Sequence, residues 1–217
     1  MGSGIRIVLL TLALTAIAPP VFPAPPQSRS EALQSLRSAD AATRAEAVVW
    51  LANLGTIADA PQLEARLRDD SAFVRGFAEQ GLWLLWSRSG ERTIDELMAR
   101  GVEEMQAGQH GRAAGTFSEV IRRKPEFAEG WNKRATVYFL AGEYEKSIAD
   151  CGEVLKRNPR HFGALSGLGQ IYERLQRYED ALAWFRRALE VNPNLLGVEM
   201  EIARIESLLG ERRGKQI

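Results

Sequence analysis

The stretch YEDALAWFRRALEVNP, Tyr178 to Pro193, spaces its apolar residues with the period of an amphipathic helix and closes on a turn. Thirty-four residues upstream the chain reads YEKSIADCGEVLKRNP, and six of the sixteen positions are identical. The same offset of 34 superposes Ala113, Ser147 and Ala181, then Phe117, Cys151 and Phe185, then Val120, Val154 and Ala188. Pro125, Pro159 and Pro193 close the three copies. In the first halves Trp131 matches Leu165, Ala135 matches Gly169 and Tyr138 matches Tyr172. Each copy therefore predicts two helices of about fourteen residues around a short turn. Gly108 and Gly142 mark that turn, and Gln176 stands in their place in the third copy. Small residues let the two helices approach, aromatics fill the space beside them, and proline ends the second helix because it lacks an N–H. One such hairpin cannot bury its apolar face alone, so the copies must stack.

A second period lies upstream. At an offset of 31, Leu36 matches Leu67, Arg44 matches Arg75, Ala47 matches Ala78 and Leu51 matches Leu82. Two more helix pairs are predicted, at about 30–55 and 60–88, with Asp70 or Ser71 capping the last helix. Trp83 and Trp86 fall at the junction of the two periods and are expected to pack there, since aromatics supply much of the buried area where units meet.

The 34-residue copies resemble the tetratricopeptide repeat (TPR), over 92–125, 126–159 and 160–193. The first copy is degenerate, with Leu97 in the tryptophan place and Glu104 in the tyrosine place. NLLGVEMEIARIESLLG, after Pro193, resembles the capping helix of such arrays, with Glu199, Glu201 and Glu206 on a wet face. The phrase LRDDSAFVRGFAEQGLWLL resembles a HEAT-type repeat, which implies that Arg44 and Arg75 form a ladder with the turn aspartates. The fold class expected is all-α, one continuous α-solenoid: HEAT-like hairpins over 29–90, TPRs over 91–193, then a capping helix and basic tail over 194–217.

The TPR resemblance implies a concave groove lined by the first helix of each copy, able to take an extended or helical peptide. Its rungs would be Met98, Asn132 and Ser166; Val102, Thr136 and Gln170; Met105, Phe139 and Glu173, with Arg174 at the margin. The apolar end at Met98, Val102 and Met105 is either open to a partner or covered by the HEAT-like helices. Where some TPR proteins clamp a partner's carboxylate with Lys, Asn and Arg, this chain has Met98, Val102, Gly163 and Gly167. A chaperone-tail receptor is therefore not expected. Lys133, Arg134 and Arg174 are either solvated charge or contacts for an acidic partner.

Composition narrows the rest. With 28 basic and 28 acidic residues the net charge is zero, which argues against a nucleic-acid partner. Cys151 is the single cysteine, so no intrachain disulfide forms, and a small buried hydrophobe is its expected role. His110 and His161 stand 51 residues apart with no second metal ligand at helical spacing. Neighbouring acid pairs such as Glu103-Glu104 do not face each other on a helix and make poor proton-transfer dyads. No cofactor, metal or catalytic role is expected. Ahead of the repeats, Arg6 and the apolar run Ile7 to Ala18 have the form of an export signal, followed by a Pro-rich linker to residue 28. The expected protein is an exported, periplasmic interaction scaffold that binds a protein or peptide. The alternative is a membrane-anchored structural subunit of a cell-envelope assembly, tethered through residues 5–18.

Overall fold

The computed structural model describes residues 25–214, and every regular element among them is helical. The export-type segment lies outside the described residues, as does the end of the basic tail. Among the described residues no helix is long and apolar enough to cross a membrane.

Eleven α-helices follow in order: α1 (Arg29–Ser35), α2 (Ala41–Leu54), α3 (Ala60–Arg66), α4 (Ala72–Ser87), α5 (Arg92–Gln106), α6 (His110–Arg123), α7 (Ala128–Leu140), α8 (Tyr144–Arg157), α9 (Phe162–Arg174), α10 (Tyr178–Val191) and α11 (Leu196–Gly214). From α5 onward each helix packs on the next, which makes an α-solenoid.

The hairpin turns repeat to the level of single hydrogen bonds. Gln109, Glu143 and Arg177 each donate a backbone N–H to the carbonyl five residues back, at 2.9, 2.8 and 2.8 Å. This closes a Schellman turn, which needs a left-handed residue just past the helix end. Gly108 and Gly142 supply it at φ 71° and 75°; Gln176 is forced to φ 59°. Inside each hairpin the contact is a matched pair of sizes. A Cβ added to Gly101 would meet Phe117 at 2.6 Å, and one added to Gly169 would meet Phe185 at 2.4 Å. The middle copy pairs Ala135 with Cys151 at the same places.

The four N-terminal helices do not extend this array beyond α5. They fold back along it, so the chain departs from one continuous stack laid out in sequence order. Leu82, Leu85 and Trp86 of α4 share a core cluster with Phe162 and Leu165 of α9 and Val191 of α10. Arg75 Nε donates to Asn194 Oδ1 at 2.8 Å, and Asn194 Nδ2 donates to the Leu67 carbonyl at 2.7 Å. Arg68 caps the C-terminal end of α10 through the Val191 carbonyl at 3.2 Å, where a cation meets the negative end of the helix dipole. So α4 lies across the row of repeat junctions, with Arg75 at the start of α11 and Trp83 at the start of α9.

The arginine ladder is half as implied. Arg44 forks onto Asp69 at 2.6 and 2.9 Å and also reaches Asp70. Arg75 instead takes the backbone carbonyls of Asp69 and Asp70, and its remaining donor goes to Asn194, because the next unit in space is the array and not a third hairpin. Ser71 holds the N-cap position of α4 without a side-chain bond; its own N–H is taken by Asp69 at 3.0 Å.

Candidate functional site

The first helices α5, α7 and α9 form one row in which α7 touches both neighbours, and α11 follows with Arg204 paired to Glu173 of α9. Along α7 the predicted groove side bears Asn132, Thr136 and Phe139; Thr136 is exposed, Phe139 half-buried, and Asn132 is nearly closed off. Along α9 it bears Ser166, Gln170 and Glu173, with Gln170 exposed. Between the two helices lies a pit of about 120 Å³. Thr136, Phe139, Ser166 and Gln170 line its mouth, and Ser147 and Cys151 of α8 lie beneath. Arg174 is exposed in the last turn of α9.

The α5 end differs from an open groove wall. Met98 is only 6% exposed, buried in a cluster with Ile94, Phe117, Phe127 and Val137. Val102 and Met105 are half-buried against the same cluster. The cover comes from the repeats themselves and not from the N-terminal helices, which land on a different part of the face. Met98 is therefore core here, and the accessible floor runs from Thr136 toward the C-terminal end.

There the pattern continues one copy further than the three repeats indicate. The offset of 34 carries Asn132 and Ser166 on to Met200, and Thr136 and Gln170 on to Arg204. Met200 is 72% exposed, and Arg204 pairs with Glu173 across the α9–α11 gap. The signal was present past Pro193; reading that stretch only as a cap hid its groove side.

The N-terminal edge of the groove is closed by α4. Trp83 sits so close to Gly163 that an added Cβ would lie 2.3 Å from its ring. The Trp83 and Phe162 rings meet edge-on at 5.2 Å, and Trp86 stacks on His161 at 4.4 Å. The two tryptophans pack the seam, and they do so against α9, not α5.

Under that seam is a polar cluster. His161 Nδ1 accepts the Ala164 N–H at 3.1 Å, which leaves the proton on Nε2, and Nε2 donates to Glu129 at 3.2 Å. Glu129 also accepts from Asn132 at 3.0 Å and pairs with Lys133 at 3.1 Å. Burial alone pushes the Glu129 carboxyl up, but the hydrogen bonds from His161 and Lys133 and the Lys133 charge outweigh it and hold it below the usual range. The cluster orients the start of α9; His161 and Glu129 are fully buried, while Asn132 borders the pit and Lys133 reaches solvent.

Of the three cations that the sequence left open, Lys133 and Arg134 are committed inside the chain, and Arg174 stays exposed. Lys133 belongs to Glu129. Arg134 forks onto Asp150 at 2.7 and 2.8 Å and lies over Trp131 at 5.1 Å. Among the described residues no three His, Cys, Asp or Glu side chains are grouped to hold a metal ion. A second cavity of about 370 Å³ opens at the seam between Ile57, Trp86 and Phe127; there Arg88 donates to the Gly55 carbonyl at 3.0 Å and Lys124 pairs with Glu91 at 2.5 Å.

Comparison with known proteins agrees with this geometry. Two tetratricopeptide-repeat family models match, over residues 126–194 and 98–153. Residues 98–194 thus carry tetratricopeptide repeats. A TPR repeat-containing protein of Rhizobium etli is 37% identical over 57 residues, which cover 26% of this chain and 28% of that relative. The chain therefore matches little more than a quarter of that relative's length. Among solved structures, the first TPR domain of Spaghetti (RPAP3) bound to an HSP90 peptide superposes with a TM-score of 0.52 at 23% identity, covering 54% of this chain and 93% of that one. The Sgt2 TPR domain from Aspergillus fumigatus reaches 0.54 at 18% identity, covering 57% and 83%. MamA reaches 0.52 at 15% identity, covering 64% and 83%. At these identities the likeness is one of fold.

Proposed function

We propose that this protein is a non-catalytic interaction scaffold that holds an extended segment of a partner protein in the groove over α7, α9 and α11. The observation that carries this reading is the exposed pair Thr136 and Gln170 at a formed pit, with exposed Met200 further along on α11, on a face whose edge α4 fixes in place. A rigid groove loses little entropy on binding, so most of the ordering cost falls on the partner. The solved TPR domains of RPAP3 and yeast Sti1, whose structures hold HSP90 and Hsp70 peptides or complexes, support a peptide as the class of ligand.

The helices of 29–90 act in this reading as HEAT-like repeats that brace one groove wall. The apolar run Ile7 to Ala18 exports the chain to the periplasm, or stays as a tether; a membrane-anchored assembly subunit is the alternative. Release of the full pool with the periplasmic fraction supports export and removes the tether.

The groove is tested by a photo-crosslinking amino acid placed at Gln170 and, as a control, at Lys146 on the outer helix α8. Capture of one partner from Gln170 alone is expected. Capture from Lys146 and none from Gln170 would move the interaction to the outer surface. Met98→Asp is not a usable probe, because a charge there would be buried in the core.

A further inference from the structure

The three repeats are built alike, yet the middle one breaks the pairing of a glycine with a ring that the other two share. In the first and third, a phenyl ring lies where a glycine leaves room: Phe117 against Gly101, Phe185 against Gly169. In the second, the offset of 34 puts Ala135 and Cys151 at those two places. That pair is several side-chain heavy atoms smaller than Gly with Phe, and the missing volume shows up as the pit of about 120 Å³. Its opposite wall carries Gly167. Gly163 and Gly169 have packing reasons, since a Cβ on either would strike Trp83 or Phe185. Gly167 has none: the nearest atom to an added Cβ is the Cys151 sulfur, at 4.0 Å. Gly76, Gly115 and Gly152 also stand inside helices with open space around them, so what marks Gly167 is its place on the pit wall, where a larger side chain would fill the pit.

From this we infer that the pit is a specificity pocket for one mid-sized aliphatic side chain, Val, Leu, Ile or Met, on an extended and uncharged stretch of a partner protein. The inference rests on the groove reading above and deepens it. The volume is comparable to the roughly 150 Å³ cavity that accepts benzene, which suits a branched aliphatic group and excludes an indole. The base is apolar or already satisfied: Ile171 and Cys151 are buried, and the Ser147 hydroxyl donates to the Ala135 carbonyl at 2.8 Å. Around the mouth stand neutral hydrogen-bonding groups, Thr136, Ser166 and Gln170, which suit peptide backbone. Of the cations beside the floor, Lys133 is held by Glu129 at 3.1 Å and Arg204 by Glu201 at 2.7 Å and by Glu173, while the exposed Arg174 stands at the margin, off the pit lining. An acidic segment of the kind seen on the RPAP3 domain, SRMEEVD, finds no cation in the pit lining itself.

The test uses the full chain and four pools of acetylated, amidated nonapeptides, with Leu, Trp, Glu or Lys fixed at the centre of a random Ser/Ala/Asn/Thr background. Binding is read by fluorescence polarisation. The Leu pool is expected to bind about tenfold or more tightly than the Glu pool, the scale of burying one aliphatic side chain. Two variants close the pit from opposite walls: Gly167→Leu, and Ala135→Gly with Cys151→Phe, which copies the pairing of the flanking repeats. Each is expected to erase the Leu preference while circular-dichroism melting stays near that of the parent. If the Glu or Lys pool binds best, the pocket assignment fails and the groove reading survives. If the Leu preference persists in both folded variants, the pit is not where it is read. If no pool binds at all, the groove reading fails together with this one.

Discussion

The imidazole of His161 lies against the indole of Trp86, ring centroids 4.4 Å apart and planes inclined by 25°. This contact joins two parts of the chain that share no sequence period. Trp86 is 4% exposed and His161 fully buried, so the indole supplies a large share of the area that docks α4 on the array. Trp86→Ala is expected to cost about 3–5 kcal/mol, the usual range for losing a buried large aromatic. Urea unfolding should then show the N-terminal helices melting ahead of the array. A single transition with an unchanged midpoint would mean that the seam contributes little.

Acid should loosen the N-terminal hairpins from each other. Burial pushes the Asp69 carboxyl up, but the Arg44 fork, the Ser71 N–H and Asp70 together bring it down to about 2. A carboxyl held below its unfolded value stabilises the fold above that unfolded value, and the contribution fades as pH falls through the folded one. The stabilisation is therefore complete at neutral pH and lost between about pH 4 and pH 2. Asp69→Asn should lower the neutral-pH midpoint and flatten the acid limb of a stability–pH curve. An acid limb as steep as the parent's would assign it to other carboxylates.

The third hairpin turn carries a removable strain. Gln176 sits at φ 59° where the two sister turns have glycine. An L-residue with a Cβ pays a steric penalty there that glycine avoids. Gln176→Gly is expected to stabilise the protein by up to about 1 kcal/mol, the left-handed relief less the extra chain entropy of glycine. Thermal melting checks it; a lower melting temperature would show that the glutamine side chain makes up for its backbone.

Cys151 should be slow to react despite facing the pit. Burial and the neighbouring Asp150 push its thiol up to about 12, so almost no thiolate is present at neutral pH. Ellman's reagent is expected to react with the native protein far more slowly than with the urea-unfolded chain. Equal rates would mean that the base of the pit opens readily to solvent.

Much of this architecture was readable along the chain because its causes are local. A helix, its proline stop and its turn glycine act within a few residues of one another, so a 34-residue rhythm reports a hairpin directly. Even the exception at Gln176 was visible as a break in that rhythm. Arg44 reaching a turn aspartate was implied by the HEAT resemblance and not by the rhythm itself.

Contacts across the seam have no such rhythm. Nothing in the periods at 34 and 31 says that Trp83 belongs to Gly163, or that Arg75 would end on Asn194. Those pairings depend on which way the chain turns after Ser87, and a single bend there decides whether α4 meets α5 or α9. Burial of Met98 has a similar origin: its surface is removed by Phe127 and Val137, brought over it from the next repeat. The hairpins follow from neighbours in sequence; which faces remain open, and the pit between α7 and α9, follow from how those hairpins are placed on one another.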